Sequence, residues 1–502
     1  MIARGMLTER LAHVAARQPD SIALVDRDER LSYRKVTAAA DAVARRLKAA
    51  GVSPQDRVAL VFENSLQYVA ALYAVFALRA VAVPLNATAR QDDLDSWIQH
   101  SGATRVLVNE AHAAHIPARD GREVLVLGGA AGSAGDRAWR ELLADGGQGD
   151  FPGAPRGDDV ALILYTSGTT GKAKGVTLTQ RNLAANVDSI LAYLKISATD
   201  RMVNALPFYY SFGNSVLHTH LAAGATIILE QNLVYPHKVV ETLARERATG
   251  FAGVPSTFAL LTARVDLSKY ELDSLRTVQQ AGGGLPVAVL TKFIAQLPDV
   301  DFFVMYGQTE ATARITYLPP HRLVDKRGSA GIPVPGVELE IRREDGSIAA
   351  PREIGSIWVR GDNVMRGYWN DPELTATVLR DGWLNTLDQG FVDDDGFLHI
   401  DGRRSDIIKT GAHRVQPQDI EATITQLDAV EDVGVVGADD DLLGQVIRAV
   451  IVLKEGAELS EMQVKAHCRD RLAAYKVPKF VEFSAELPRT ATGKLQRFRL
   501  AK

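Results

Sequence analysis

The chain has 502 residues, of which 46% are hydrophobic and 24% are charged, and its formal net charge is −4 at pH 7. This length exceeds one ordinary hydrophobic core and predicts at least two domains. The charge balance gives no support for nucleic-acid binding or for a polybasic membrane surface. The single cysteine, Cys468, excludes an internal disulfide and a multi-cysteine metal site, and it favours a reducing, cytoplasmic location.

The first part of the chain alternates between helix and strand patterns. The first 25 residues lack a signal-peptide core, and Leu7, Leu11 and Val14 instead indicate one face of an amphipathic helix. Strand patterns follow in "SIALVD", "RVALVF" and "VAVPL", with helix patterns between them. The most apolar stretch contains Arg79 and runs into a strand, so we interpret it as a buried helix rather than a membrane span. This rhythm predicts an α/β fold with parallel sheets covered by helices.

A segment at 130–158, rich in Gly, Ala, Asp and Pro, predicts a surface connection that leads into an unusual loop. The loop reads "YTSGTTGKAKG" at 165–175 and combines hydroxyls, glycines and two lysines without an acid. Hydroxyls, backbone N–H groups and lysines suit a polyanion, most simply the phosphates of a nucleotide. A flexible surface turn is the alternative interpretation.

The context of this loop differs from that of a P-loop. Gly168 and Gly171 are too close together, and the lysine after them is followed by Ala173 rather than by a hydroxyl residue. Strand patterns lie on both sides, and a helix pattern begins only near Gln180, where Thr179 is suited to cap it. The sequence therefore predicts a loop between two strands.

The pattern changes from about residue 330. Short strands such as "VELEIRR" and "GSIWVRG" are broken by Gly and Asp turns, which predicts a β-rich subdomain. A smaller α+β unit of about a hundred residues follows "GRRSD" at 402–406, a normal size for a domain. We therefore predict a large domain over 1–402 and a small domain over 403–502.

Seven segments in order carry a resemblance to a known superfamily. After "YTSGTTGKAKG" come "LPFYYSFGNS" at 206–215, "AGGGLP" at 281–286, "MYGQTEA" at 305–311, "GWLNTLDQG" at 382–390, "GRRSDIIKTGAHRVQPQDIE" at 402–421 and "LPRTATGKLQRFRL" at 487–500. Together they resemble the adenylate-forming superfamily of acyl-CoA synthetases, nonribosomal-peptide adenylation domains and firefly-type luciferases. The resemblance covers essentially the whole chain. It implies that a carboxylic acid reacts with ATP to give an acyl-adenylate and pyrophosphate, and that a thiol then displaces AMP.

The resemblance implies a nucleotide site on the large domain. The loop residues that would hold the β- and γ-phosphates are Thr166, Ser167, Gly168, Thr169, Thr170, Gly171 and Lys174. Thr309 would contact the α-phosphate, and Glu310 would bind Mg²⁺, which prefers carboxylate oxygens. Tyr306 would stack on adenine beside Gly283. Asp388 would accept hydrogen bonds from the ribose hydroxyls, with help from Arg403.

The same resemblance implies a small domain that moves between two poses. Lys494 would reach the carboxylate and the α-phosphate during adenylation. Ser405 falls on the hinge, where family members usually carry Asp or Lys, and small residues also serve as hinges. Lys409 matches the lysine on the face that is used in the thiol step.

Three departures from the family pattern bear on these expectations. Leu387 replaces the glycine of the usual "TGD", which puts the local backbone in doubt although Asp388 remains. The glycine that borders the thiol tunnel falls on Ala412, with Gly411 one place earlier, so the thiol geometry is less well defined than the adenylation site. Tyr210 stands where a gating histidine is frequent, and a tyrosine cannot become a cation near pH 7.

The expected acid is uncharged and either aliphatic or aromatic. No acidic residue lies between Pro207 and Leu229 to pair with the ammonium group of an amino acid, and a buried ammonium without a partner is costly. Small or apolar residues are expected to line the pocket: Tyr210, Phe212, Gly213, Val254, Gly282, Gly283, Gly284 and Thr312. His218 and His220 lie nearby, and we interpret them as ordinary buried histidines rather than metal ligands.

Four functions come into question for a sequence with these motifs. Ligation of the acid to CoA is the leading one, and transfer to the phosphopantetheine arm of a carrier protein is the runner-up. A luciferase-like oxygenase would use the same adenylate. A non-catalytic binding protein is disfavoured because Glu310, Asp388 and Lys494 are all retained.

Overall fold

The computed structural model describes residues 5–144, 154–167, 173–230, 235–403, 406, 408–410, 413–440, 444–489 and 495–500. The chain divides into two compact units. The first comprises Met1–Ser167, Ala173–Leu339 and Val359–Leu384, and the second includes Glu340–Trp358 and Asn385–Lys502. Within the described ranges, no helix is long and apolar enough to cross a membrane. The functional boundary between residues 402 and 403 stays a prediction.

The described strands are numbered in chain order. They are β1 (Ile22–Asp26), β2 (Glu29–Ser32), β3 (Arg57–Phe62), β4 (Val81–Asn86), β5 (Arg105–Val108), β6 (Glu123–Val126), β7 (Val160–Ser167), β8 (Ala173–Thr179), β9 (Arg201–Asn204), β10 (Thr226–Leu229), β11 (Gly250–Gly253), β12 (Thr277–Gln280), β13 (Asp301–Tyr306), β14 (Thr316–Leu318), β15 (Ile332–Pro333), β16 (Val337–Arg342), β17 (Gly355–Gly361), β18 (Gly367–Tyr368), β19 (Leu379–Arg380), β20 (Trp383–Val392), β21 (Leu398–Arg403), β22 (Ile408–Thr410), β23 (His413–Val415), β24 (Val430–Asp440), β25 (Gly444–Leu453) and β26 (Phe480–Phe483).

The described α-helices are numbered in the same way. They are α1 (Leu7–Arg17), α2 (Tyr33–Ala49), α3 (Leu66–Ala77), α4 (Gln91–Ser101), α5 (Glu110–Ala113), α6 (Ala134–Ala144), α7 (Gln180–Leu194), α8 (Ser211–Ala223), α9 (Pro236–Arg245), α10 (Pro255–Arg264), α11 (Val287–Gln296), α12 (Pro372–Val378), α13 (Pro417–Ile424), α14 (Glu461–Arg469) and α15 (Arg497–Leu500).

The first unit contains two large, mostly parallel sheets. Among the described strands, one sheet has the order β15-β14-β13-β12-β11-β9-β10-β1-β2 and is parallel from β13 through β1. The other has the order β18-β8-β7-β4-β3-β5-β6 and is parallel from β7 through β6. Parallel neighbours need crossover connections, and the intervening helices supply them. The predicted α/β architecture is confirmed.

Helix α3 explains why the most apolar stretch of the chain is not a membrane segment. All of its residues except the half-buried Gln67 are buried, as expected for a helix that is apolar nearly all round and packed inside a protein. Its amino end is capped by Ser65, whose side chain accepts a hydrogen bond from the Tyr68 N–H at 3.2 Å. The predicted buried helix that leads into a strand is therefore confirmed, with β4 as the strand.

The prediction of a surface connection is wrong for one part of the segment. The segment predicted as a connection at 130–158 contains helix α6, and Trp139 on this helix is buried, with 2% of its surface exposed. Glycine and alanine around it gave the segment a loop-like composition. The burial of a large aromatic side chain outweighs such weak local preferences.

The second unit contains the smaller α+β module that the sequence predicts. Its described strands form a sheet of order β23-β22-β25-β24, with β26 parallel to β25. The core of this sheet includes Ile420 and Ile424 from α13 and Val464 and Cys468 from α14. Burial raises the pKa of the Cys468 thiol to about 11, so this cysteine is a packing residue.

A further sheet has the order β16-β17-β20-β19, with β21 on β20, and it confirms the predicted β-rich region.

Candidate active site

A β-hairpin holds the two ends of the glycine- and threonine-rich loop. Strands β7 and β8 are antiparallel, and Thr166 lies directly opposite Lys174. Helix α7 begins only after β8, and Thr179 caps it by accepting a hydrogen bond from the Asn182 N–H at 3.2 Å. The predicted order of strand, loop, strand and capped helix is confirmed. The tip of the loop, residues 168–172, lies outside the described residues.

Lys174 and Glu310 are connected through a tyrosine that the sequence did not single out. The Nζ atom of Lys174 lies 5.3 Å from the centroid of the Tyr368 ring, within cation–π range. The Tyr368 hydroxyl donates a hydrogen bond to Glu310 Oε1 at 2.9 Å. The hairpin lysine, an aromatic ring and the carboxylate thus form one chain of contacts. No local motif marks Tyr368, which lies in the two-residue strand β18 beside β8.

The loop that carries Thr309 and Glu310 is closed on itself. A Cβ atom at Gly307 would fall 1.9 Å from the Ala313 carbonyl oxygen, so only glycine fits there. The buried Asn363 donates from Nδ2 to the carbonyls of Ala311 and Arg314, at 3.2 and 2.9 Å. We call residues 307–314, fastened in this way, the catalytic loop. Asn363 was also missed at the sequence level.

Thr309 lies next to the first turn of α8. The hydroxyl oxygens of Thr309 and Ser211 are 3.2 Å apart. Tyr306 is the last residue of β13, immediately before the catalytic loop, and Tyr210 precedes α8 with its ring 4.5 Å from that of Tyr209. The structure therefore brings the predicted α-phosphate contact and the predicted gate residue to neighbouring elements.

Several of the predicted pocket residues are contiguous. Phe212 and Val254 pack against one buried apolar cluster. A Cβ atom at Gly282 would contact the Val254 side chain at 3.2 Å, and one at Gly283 would contact the Pro255 ring at 3.4 Å. Gly284 borders open space. These residues form a largely apolar surface beside α8.

Two other predicted pocket residues have a structural role in the fold. A Cβ atom at Gly213 would fall 2.4 Å from the Pro207 carbonyl oxygen, so this glycine permits close backbone packing. Thr312 has a left-handed backbone, with φ at 61°, and its hydroxyl donates to the Asn363 carbonyl at 2.5 Å. Their contact with a substrate stays a prediction.

The two histidines of α8 are bonded to protein groups. His218 Nδ1 lies 3.1 Å from the Tyr73 hydroxyl, and His220 Nδ1 lies 2.8 Å from the Val216 carbonyl. Burial lowers the pKa of His218 to about 3 and that of His220 to about 4, so both are neutral at physiological pH. They are ordinary buried histidines.

Asp388, the predicted ribose partner, lies in the second unit. It is buried in β20, its N–H donates to Thr386 Oγ1 at 3.2 Å, and it pairs with Arg403 of β21 in the antiparallel register. The preceding residue, Leu387, has a φ of 63° and is exposed. The backbone thus keeps the left-handed shape that glycine favours, at a cost of about 1–2 kcal/mol for a residue with a side chain.

The remaining predicted site residues cannot be placed. Gly168, Thr169, Thr170, Gly171, Ser405, Gly411, Ala412 and Lys494 lie outside the described residues. Of Ser167, Arg403 and Lys409, only the backbone is described, in β7, β21 and β22. Their roles stay predictions.

Comparisons with family models and with known proteins agree on one family for this chain. The sequence matches the family model "AMP-binding enzyme" over residues 11–369 and the model "AMP-binding enzyme C-terminal domain" over residues 419–494. A feruloyl-CoA synthase from Amycolatopsis sp. is 34% identical over 469 residues, covering 93% of this chain and 92% of the relative. An indoleacetate–CoA ligase from Aromatoleum aromaticum is 33% identical over 499 residues, covering 98% and 96%.

A solved structure agrees with these relatives over nearly the full length. The o-succinylbenzoate CoA synthetase from Bacillus subtilis, in complex with its acyl-adenylate intermediate, is 30% identical with a TM-score of 0.87 and 98% coverage of both chains. The same synthetase has been solved with ATP and a magnesium ion, with a TM-score of 0.86. The fold and the site thus define an adenylate-forming enzyme of the acyl-CoA synthetase type. The chain belongs to the AMP-binding enzyme family.

Proposed function

We propose that this enzyme joins a carboxylic acid to CoA in two steps, with the residues described above as its active site. In the first step, a carboxylate oxygen attacks the α-phosphorus of ATP, the bond to the β-phosphate breaks, and pyrophosphate leaves. In the second, the CoA sulfur attacks the acyl carbon, AMP leaves, and the thiol proton is released. The relatives described above are CoA ligases, which favours CoA over the phosphopantetheine of a carrier protein.

The contact chain from Lys174 through Tyr368 to Glu310 is the observation that carries this proposal. It brings a cation of the phosphate-loop hairpin and a carboxylate of the catalytic loop to one tyrosine. Adenylation needs such an arrangement, because two anions must meet and the charge on the leaving pyrophosphate must be stabilised. Thr309, one residue before Glu310, is then in place to contact the α-phosphate.

Glu310 fits the role of a magnesium ligand. Its side chain is half-buried, and the one hydrogen bond that the described residues give it goes to Oε1, from Tyr368. Oε2 is therefore available to a hard cation, which prefers carboxylate oxygens. Mg²⁺, when bound with ATP, neutralises charge on the phosphates.

The small domain supplies the remaining roles in this proposal. Lys494 stabilises the approaching carboxylate during adenylation, and the thiol needs the same side of the acyl carbon, so the lysine must withdraw. Ser405 is the hinge for this movement, and Lys409 lies on the face used in the thiol step. Asp388 and Arg403 hold the ribose. These assignments rest on the motif resemblance.

Replacing Tyr368 by phenylalanine tests the contact chain. We expect adenylation to fall roughly tenfold, because Glu310 loses the hydrogen bond that orients its carboxylate, a bond worth about 1–2 kcal/mol. The loss should be largest at low Mg²⁺ concentration. Pyrophosphate release measured across a Mg²⁺ titration checks this, and a Tyr368→Phe enzyme with the wild-type magnesium profile would contradict it.

The absence of an acidic residue between Pro207 and Leu229 predicts which acids are rejected. Pyrophosphate exchange should proceed with aliphatic or aromatic carboxylic acids and not with the standard amino acids, because their ammonium group would be buried without a partner. The acids that work should then be followed to thioester with CoA and, in parallel, with a phosphopantetheinylated carrier protein. Robust exchange with an amino acid, or thioester on the carrier alone, would overturn the respective part of the proposal.

A further inference from the structure

Arg314, at the end of the catalytic loop, is a buried cation that has no acidic partner among the described residues. Its exposed fraction is 1%, and among the described residues its Nε, Nη1 and Nη2 atoms make no hydrogen bond of standard geometry, the Tyr193 hydroxyl being their one polar neighbour. Burial lowers the pKa of this guanidinium, but arginine remains charged in proteins. A buried charge without an opposite charge beside it strongly disfavours the folded state.

Arg10 shows how this same fold satisfies a buried arginine. It has the same exposed fraction of 1%, but its guanidinium donates to both carboxylate oxygens of Asp188, at 2.7 and 3.0 Å. Its Nε donates to the Gly5 carbonyl at 2.7 Å. The contrast indicates that the missing partner of Arg314 is not a general feature of this chain.

The surroundings of Arg314 are aromatic. The guanidinium carbon lies 4.3 Å from the centroid of the Phe212 ring, a close cation–π contact. The Tyr193 hydroxyl lies beside the guanidinium and donates to Met305 Sδ at 3.1 Å, and the Tyr193 ring is stacked on Tyr317 at 4.1 Å. A neutral tyrosine supplies no counter-charge. Aromatic walls orient the guanidinium without neutralising it.

The position of Arg314 connects it to the acid site. Phe212 follows Ser211 on the first turn of α8, and Ser211 contacts Thr309. Phe212 also packs on the apolar cluster that contacts Val254. The guanidinium therefore lies against a residue of the apolar surface that is expected to receive the acid, on the same loop as Thr309, the predicted phosphate contact.

We propose that Arg314 recognises a second carboxylate on the acid, remote from the carboxylate that is activated. A carboxylate matches the planar guanidinium fork with two parallel hydrogen bonds, and the ligand would bring the counter-charge that the protein lacks. This inference rests on the proposed function and refines its substrate class. It departs from the uncharged acid expected from the sequence, because that expectation considered only the residues between Pro207 and Leu229.

The test compares acids of matched length that differ only at the far end. Straight-chain and para-substituted aromatic acids are assayed for pyrophosphate release as the simple acid, the hydroxy acid and the dicarboxylic acid. For wild type, kcat/KM should be roughly ten- to a hundredfold higher for the dicarboxylic acid than for the simple acid at the best length, as expected for a charged bidentate hydrogen bond. Arg314→Met should reverse this preference, and Arg314→Lys should keep part of it.

Melting temperatures separate recognition from folding. Arg314→Met should melt at or above the wild-type temperature without ligand, since it removes an unpaired buried charge, and the dicarboxylic acid should stabilise only the wild type. Arg10→Met is the matched control, which should melt lower and keep the wild-type preference.

Three results would overturn the inference. They are a wild-type preference for the simple acid, a preference for the hydroxy acid that equals that for the dicarboxylic acid, and an unchanged preference in a folded Arg314→Met enzyme. Failure to release pyrophosphate with every acid, including the simple ones, would instead overturn the proposed function and this inference with it.

Discussion

Glu310→Gln should lower the rate of acyl-adenylate formation by roughly a hundred- to a thousandfold, the scale seen when a preorganised group that stabilises transition-state charge is removed. Glutamine keeps the shape of the side chain and can still accept from the Tyr368 hydroxyl, which bonds to Oε1 at 2.9 Å in the wild type. It lacks the negative charge that we propose to hold Mg²⁺. The measurement is single-turnover pyrophosphate release at saturating ATP and acid over a range of Mg²⁺ concentrations.

The controls for Glu310→Gln decide between loss of metal binding and loss of structure. Glu373 is exposed on α12, and Glu373→Gln should be indistinguishable from wild type. The melting temperature of Glu310→Gln without nucleotide should also be unchanged within a few degrees. A Glu310→Gln enzyme that keeps near wild-type adenylation would show that the magnesium ion is held elsewhere.

Lys494→Ala should reduce adenylation by roughly a hundredfold or more and leave the second step largely intact. In the proposed mechanism, the lysine would stabilise charge only while the carboxylate attacks the α-phosphorus, and it would withdraw before the thiol arrives. Pyrophosphate release from ATP measures the first half-reaction. Thioester formation from supplied acyl-adenylate and CoA measures the second, and its rate should stay within a few-fold of wild type.

A lysine elsewhere on the same domain provides the control for Lys494. Lys454 is exposed after β25, and Lys454→Ala should leave both half-reactions unchanged. If Lys494→Ala slowed the two half-reactions equally, the lysine would be structural or would serve both steps. The proposal of two alternating poses would then lose its main support.

The sequence predicted those features that depend on local patterns. The strands around the phosphate loop, the Thr179 cap and the buried helix α3 follow from periodicity and capping chemistry, which are local. Tyr368 could not be predicted, because it reaches Glu310 across 58 positions of sequence. The burial of Arg314 could not be predicted either, because an arginine in a loop is usually exposed. Helix α6 was missed because glycine and alanine hide the tertiary burial of Trp139.

The closure of the catalytic loop has a consequence for how such an enzyme can change its specificity. A Cβ atom at Gly307 would meet the Ala313 carbonyl oxygen, and Asn363 donates to the carbonyls of both Ala311 and Arg314. The residue proposed to bind the metal and the residue proposed to bind the acid thus belong to one closed ring of the backbone. We therefore expect a substitution that shifts the backbone at Glu310 to displace Arg314 as well, and the reverse. If both proposed roles hold, selectivity and turnover change together at this point, and we expect new substrates to be acquired more readily by exchanging the ring as a whole, together with Asn363, than by single substitutions within it.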